Sequence, residues 1–455
     1  MLSTSDEPRA HLLLLHWCVA WRRMADLLAY DSELTRQAGA DGVPPRVVTL
    51  KAIAAAAARL LEEPSLLLDN QREAFLLLHR GDVGVCPIQT LPTPAGHALL
   101  AGPDAQVCVK TGYAKGDAVF CVKIAAGGGT FAGNTGMMQV FCQKTLRLQC
   151  VLQDEGILTE MRTAAAACLA SSLLMPKDVT NVGLVGGSVQ AIWHLRFLAS
   201  IVTTRRCVVR TRSQASAAAF RDQMRASPCA LDREWSITTY EEERERGVER
   251  PFAQCALIHT VSCARQPVLT AADLGRAGDK QGAGAVHISA IGADAPGKQE
   301  LGEDLVAAAD FLVCDLVSQS KERGEFQRYL ARHAGSPPTP VVELGALLAD
   351  PERLQRLRPA ESEVDTTCSI FDSSGVAVQD VGIAKLISRL VESAGVVPSV
   401  PEARHRSEID PRVSHSHPPT ISGRGTGGTG RFGGRHHFRE DCSKSCRRLQ
   451  SAAHL

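Results

Sequence analysis

The 455-residue chain has almost no net charge, +1 at neutral pH. No global field therefore draws it onto nucleic acid or a membrane surface, and any such contact has to be local. Long apolar runs are missing too: no segment approaches the roughly 20 residues that span a bilayer. Nor is there a compact cysteine framework. The 15 cysteines are scattered, mostly inside apolar strings such as Phe120-Cys-Val-Lys and Phe311-Leu-Val-Cys-Asp. That suits reduced, buried thiols and a cytoplasmic setting. Cys442 and Cys446, near His436 and His437, match no standard zinc-module spacing, so no metal site is assigned. What is present is 44% apolar content, enough for a substantial core in two or three domains of a small-molecule protein.

Residues 1–45 read as an extension. Its apolar string from His11 follows Asp6 and Glu7 rather than a basic start, which fits an added amphipathic helix better than a targeting segment. Helical spacing follows from Val47 through Leu61 and from Asn70 to His79. Alternation at Gln106–Thr111, Ala118–Ile124 and Arg147–Leu152 then predicts an antiparallel sheet. From Thr159 the texture changes to a helix, followed by alternating strands and helices. Strands are expected at Val182–Val185, Cys207–Thr211, Ala256–Val261 and Val286–Ile291, and this order signals a parallel sheet with helices on its faces. A last amphipathic helix is expected from about Val378 to Glu392. Residues 399–455 form a Gly/Arg/His-rich tail expected to be disordered; an RNA-binding Gly-Arg segment is the alternative to an inert extension.

The string Asn181-Val-Gly-Leu-Val-Gly-Gly-Ser-Val-Gln runs from a strand through glycines into a helix. Gly186 and Gly187 permit a tight turn, and the helix start at Val189 and Gln190 would receive a pyrophosphate. Ser188 stands where a second fingerprint glycine lets backbone approach that group. On these residues alone, a nucleotide site and a plain strand-to-helix turn both remain open. The next strand ends Val208-Val-Arg-Thr-Arg, with no acid for a ribose hydroxyl; Arg210 and Arg212 read either as partners of a 2′-phosphate or as solvated surface.

Three further strings agree in order and spacing with one family. Leu158-Thr-Glu-Met-Arg-Thr-Ala-Ala-Ala, Ala290-Ile-Gly-Ala-Asp-Ala-Pro-Gly-Lys-Gln-Glu-Leu and Ser369-Ile-Phe-Asp-Ser-Ser-Gly-Val-Ala-Val-Gln-Asp resemble motifs of the ornithine cyclodeaminase and mu-crystallin family, over roughly residues 46–395. The Asp-Ala-Pro-Gly-Lys form resembles the cyclodeaminase version of the catalytic loop. The resemblance implies a Rossmann-type parallel-sheet domain (166–365) inserted in an α+β substrate-binding and dimerisation domain (46–165, completed by 366–398) of a homodimer. It implies NAD or NADP as cofactor and conversion of L-ornithine to L-proline and ammonia. An imine reductase or amino-acid dehydrogenase is the alternative enzyme, and a non-catalytic NADP(H)-binding protein the alternative class.

The resemblance also assigns residues. Asp294 is the catalytic candidate, relaying protons at the amine. Lys123 and Arg162 would bind the substrate carboxylate, with Lys110 and Ser374 as further substrate contacts. Gly186, Ser188, Val189, Gln190, Arg212, Thr260, Ser289, Ala290, Ile291, Gly292, Lys298, Ser373 and Asn134 are the cofactor-side candidates. The chain departs from the family where Gly127-Gly-Gly-Thr-Phe replaces an Asn-Pro segment and where Cys108 replaces a histidine.

Overall fold

The computed structural model describes residues 45–394, apart from short stretches at 94–95, 103–104, 129–133, 228–230, 277–283, 334–335, 351 and 354–365. The N-terminal extension, the tail and most of the glycine run after Lys123 lie outside the described residues.

Two sheets organise the fold. The first is built from β1 (Arg46–Val48), β2 (Val83–Val85), β3 (Gln89–Leu91), β4 (Gln106–Ala114), β5 (Val119–Gly127), β6 (Asn134–Cys142) and β7 (Leu148–Leu152). Its order is β1-β7-β6-β5-β4-β2, with β3 also on β4. All pairs are antiparallel except β1 with β7. The helices α1 (Leu50–Glu62) and α2 (Ser65–His79) overlap the predicted spans, but Val47 and Val48 belong to strand β1 and α2 begins at Ser65 rather than Asn70; α1 opens on Thr49, whose hydroxyl accepts from Ala52 N.

The second sheet is parallel throughout, with strands β8 (Val182–Val185), β9 (Arg206–Arg210), β10 (Ser236–Thr239), β11 (Leu257–Thr260), β12 (Val286–Ala290), β13 (Phe311–Cys314), β14 (Val341–Glu343) and β15 (Cys368–Asp372). The order β10-β9-β8-β11-β12-β15-β13-β14 reverses direction between β8 and β11. Such a switch point opens a crevice at the carboxyl ends of the strands, where doubly wound sheets bind ligands.

The boundary drawn at 366 has to be corrected. The closing motif is divided: β15 pairs between β12 and β13 in the parallel sheet, and only the helix α8 (Ala377–Ser393) returns to pack on α1, α2, β4 and β5. The apolar run Ser369-Ile-Phe, buried on both faces, matches a central parallel strand. Helix α3 (Ile157–Leu174) joins the two halves. It is long and apolar enough by composition to cross a membrane, but it is a core helix, buried from Leu158 through Ser171 except at Thr159 and Thr163.

Behind the parallel sheet runs a buried polar chain. His194 Nδ1 lies 2.6 Å from His259 Nδ1, and His259 Nε2 lies 2.9 Å from Ser171 Oγ. Ser171 meets Ser289 at 3.1 Å, Ser289 meets His287 Nε2 at 3.1 Å, and His287 Nδ1 meets Ser369 Oγ at 2.8 Å. Burial pushes His194 and His287 down to about 3 and His259 well below its usual value, so the imidazoles stay neutral at neutral pH. Neutral rings and hydroxyls pair along this chain without a buried charge, and only its end atom, His194 Nε2, has no partner among the described residues.

Candidate active site at the sheet crevice

The carboxyl ends of β8, β11, β12, β13 and β15 deliver Gly186, Ser262, Gly292, Asp315 and Ser373 to one side of the parallel sheet. Gly186 takes φ +113, and a Cβ there would lie 3.0 Å from the Val261 carbonyl. Gly187 has room for no more, since a Cβ would stand 2.8 Å from Thr211 Cγ2. Both turn glycines are therefore required by the close passage of neighbouring loops. Ser188 caps α4 (Val189–Leu198) in ordinary extended geometry, φ −103 and ψ −175, with its side chain exposed and making no cap bond. Gln190 Oε1, one residue into the helix, is buried without a partner. Two glycines under the N-terminus of α4 form a cradle that fits a dinucleotide phosphate, whereas the Gln190 oxygen, an acceptor, calls for a donor instead.

Glu300 shapes the adjoining loops. Its carboxylate accepts from Thr260 Oγ1 (2.7 Å), Ser262 N (2.6 Å), Ser262 Oγ (2.7 Å) and Gly292 N (2.7 Å). The Thr260 hydroxyl therefore faces Glu300. Ser289 departs from the cofactor-side expectation: its hydroxyl is turned into the interior by Ser171 and His287, and Ala290 beside it is fully buried. Ile291 is buried as well, leaving Gly292 as the partly open position of that run. Arg210 is also corrected. It donates to the Val268 carbonyl and Asp273 and lies 3.7 Å over the Tyr240 ring, which ties it into the fold rather than leaving it for a 2′-phosphate. Arg212 is exposed at the rim.

Facing the crevice, β4 and β5 present Lys110 and Lys123 directly opposite one another. Lys123 is 2% exposed, and its Nζ meets Asp380 Oδ1 at 3.1 Å and Oδ2 at 3.0 Å. Arg162 Nε reaches the same carboxylate at 3.0 Å, while its Nη atoms lie against Gly375, where a Cβ would stand 2.7 Å from Nη1. Gly375, at φ +81, is held by its N–H donating to Asp315 at 2.7 Å. Burial would raise the Asp380 pKa, but Lys123, Arg162 and Lys110 outweigh it and hold it below the usual carboxylate range. Lys110 Nζ donates to the carbonyls of Ser374 (2.9 Å) and Gly375 (2.7 Å). Burial, with Lys123 and Arg162 adding repulsion, pushes Lys110 down to about 7.

Asp294 stands on the loop after β12, 51% exposed, with Lys298 Nζ at 2.6 Å. Lys298, Lys110 and Arg323 hold its pKa down against burial, so it is a carboxylate at neutral pH. Ser373 Oγ donates to Asp315, and Ser374 Oγ accepts from Gln319 at 2.7 Å. Asn134 lies apart from this cluster and donates to Glu160 at 3.1 Å; Glu160 also accepts from Trp193 Nε1 at 2.9 Å.

The structure thus brings Lys110, Lys123, Arg162 and Ser374 into one buried cluster, with the Asp294–Lys298 pair close to Lys110. Sequence reasoning missed Asp380, Gln319, Arg323, Glu300 and Glu160. Asp380 ends the quoted closing motif and falls three residues after buried Ala377 and four before buried Ala384, so its helical face marked it as an inward acid. Arg323 ends the short helix α6 (Val317–Arg323) and carries no comparable signal.

Comparison with known proteins agrees with this arrangement. Residues 146–394 match the ornithine cyclodeaminase/mu-crystallin family. An uncharacterized cyclodeaminase of Sinorhizobium fredii is 31% identical over 305 residues, 64% of this chain and 82% of the relative. An ornithine cyclodeaminase of Agrobacterium fabrum is 25% identical over 245 residues, 54% of this chain and 60% of the relative. Among solved structures, the iminosuccinate reductase of Paracoccus denitrificans in complex with NAD+ superposes with a TM-score of 0.59 at 25% identity, covering 77% of this chain and 98% of that one. Motif order, the double-sheet architecture and these matches together establish that the chain belongs to the ornithine cyclodeaminase/mu-crystallin family.

Proposed function

We propose that this chain catalyses nicotinamide-dependent hydride transfer at the α-carbon of an amino or imino acid. The observation that carries the reading is the Lys123–Asp380–Arg162 cluster standing beside Asp294 at the switch-point crevice. The nicotinamide, when bound, supplies the hydride chemistry. Gly186, Gly187 and the start of α4 would hold its pyrophosphate, with Gly292 and Ser373 flanking. Arg162 and Lys123 bind and orient the substrate carboxylate; Asp380 fixes both cations before substrate arrives. Asp294, kept ionised, accepts a proton from the substrate amine in the oxidative direction and stabilises a cationic imine. Lys298 positions Asp294. As the family resemblance implies, the working unit is a homodimer.

Ornithine cyclodeamination is one form of this chemistry, supported by the Asp294-Ala-Pro-Gly-Lys loop and the relatives. Simple imine reduction or amino-acid oxidation is the second, favoured by a specific observation: buried Lys110 adds a third cation beside Lys123 and Arg162, which disfavours a further ammonium there. One assay separates them. The protein is incubated with L-ornithine and catalytic NAD or NADP, and proline, ammonia and reduced cofactor are followed. Proline without net reduction supports the cyclase, and stoichiometric reduction supports a dehydrogenase. Cofactor binding with no turnover of any amino or imino acid contradicts both.

A further inference from the structure

Resting on that reading of the site, we propose that the substrate carries a second anionic group, remote from its reacting carbon, and that Lys110 and Arg323 receive it. An amino or imino dicarboxylic acid is the substrate class. The charge layout comes first. Lys110 and Lys123 oppose one another across β4 and β5, a like-charge pairing that destabilises a sheet unless an anion lies between or beside them. Asp380 neutralises Lys123 and Arg162. Among the described residues no carboxylate contacts Lys110, whose hydrogen-bond partners are the carbonyls of Ser374 and Gly375.

Arg323 reaches the same place from α6. Its Nε donates to the Asp294 carbonyl at 2.8 Å, and its Nη2 lies 3.8 Å from Cys108 Sγ. Cys108 and Lys110 are two residues apart on β4 and share one face of the sheet. Gln319, one turn before Arg323, donates to Ser374 Oγ and to the Gly375 carbonyl that Lys110 also uses. Strand β4 thus reaches the Ser374–Gly375 loop through Lys110 and helix α6 reaches it through Gln319, while Arg323 holds its guanidinium between the Asp294 carbonyl and Cys108, two residues along β4 from Lys110.

The carboxylates nearby are committed elsewhere. Asp294 pairs with Lys298, Asp380 with Lys123 and Arg162, and Asp315 accepts from Ser373 Oγ, Gly375 N and Leu316 N. A substrate with a distal ammonium would add a cation to Lys110, Lys123, Arg162 and Arg323. A distal carboxylate would instead relieve their repulsion, and the Arg323 guanidinium suits it.

Calorimetric titration of the NAD-loaded protein with succinate, butyrate and L-ornithine tests this assignment without requiring turnover. Succinate is expected to bind at least about ten-fold more tightly than butyrate, the order of magnitude of one charge-assisted hydrogen bond. Lys110→Gln and Arg323→Gln should each remove most of that advantage while NAD affinity stays unchanged. Equal binding of succinate and butyrate, or tighter binding of ornithine than of succinate, overturns the distal-anion assignment. Binding of neither acid to NAD-loaded protein overturns the amino-acid reading itself, a distinguishable result. The comparison of acids uses the unaltered protein, so a variant that fails to fold leaves it intact.

Discussion

Asp380 is the residue on which the buried cluster of Lys123 and Arg162 depends. Its carboxylate holds two buried cations, and removing one partner of a buried ion pair leaves an uncompensated charge. Asp380→Asn should destabilise the protein by about 3–5 kcal/mol, read from denaturant unfolding at neutral pH. Asp294 is different: half exposed and, among the described residues, ion-paired with Lys298 alone, it is tied less tightly into the fold. Asp294→Asn should lower kcat by about 10²–10⁴-fold with cofactor affinity retained; full activity would remove it from the mechanism. Lys110 adds a pH dependence. Its folded pKa, about 7, lies below its ordinary 10.5, so between these values the unfolded chain binds more protons and stability rises with pH. The groups facing it are Lys123, Arg162, Asp380 and Asp294. KM for an anionic substrate should therefore increase above about pH 7, and Lys110→Gln should flatten that rise.

At the scale of elements, the turn from β8 into α4 and the loop from β15 into α8 carry the two halves of the site. Gly375→Ala would drive a methyl into the Arg162 guanidinium and force φ +81 on an L-residue. Carboxylate affinity should drop at least about ten-fold while NAD affinity, measured by fluorescence titration, is retained. Ser188→Gly tests the opposite side: tighter cofactor binding would show that the hydroxyl crowds the pyrophosphate, whereas unchanged affinity would show that its exposed rotamer already clears it. These elements were legible to different degrees. The strand–glycine–helix pattern placed Val182–Val185 and the start of α4 because apolar run and turn chemistry agree. Strand β6 was missed: Asn134-Thr-Gly-Met-Met-Gln lacks alternation, and Gly136 is there because a Cβ would collide with the Ile124 carbonyl. Strand β10 has only four residues on the sheet edge. The allegiance of β15 was hidden because pairing with β12 and β13 depends on contacts across long sequence separations.

Over the whole molecule, α3 couples the halves. Its first turns carry Arg162 toward Asp380 of α8 and Glu160 toward Asn134 of β6 and Trp193 of α4. Burial pushes Glu160 up to about 7 from an ordinary 4.5, so the folded state binds the extra proton and stability falls as pH rises between those values. Glu160→Gln should remove that slope, visible as a flatter dependence of the thermal midpoint on pH. No sequence pattern exposed this link, because an acid in a first helical turn reads as a dipole-complementing surface group. The candidate residues themselves came from motif order; the joining of Lys123 and Arg162 through Asp380, with the Asp294–Lys298 pair and Lys110 nearby, needed the geometry. The central claim is hydride transfer at an α-carbon, and isotope transfer tests it most directly. A panel of 2-oxo acids, including a dicarboxylic one, is incubated with ammonium and NADH or NADPH deuterated on both faces of the nicotinamide C4, and the products are analysed by mass spectrometry. The account predicts an amino acid carrying one deuterium at Cα, formed by the native protein and lost in Asp294→Asn. Cofactor binding with no deuterium reaching Cα of any product would contradict it.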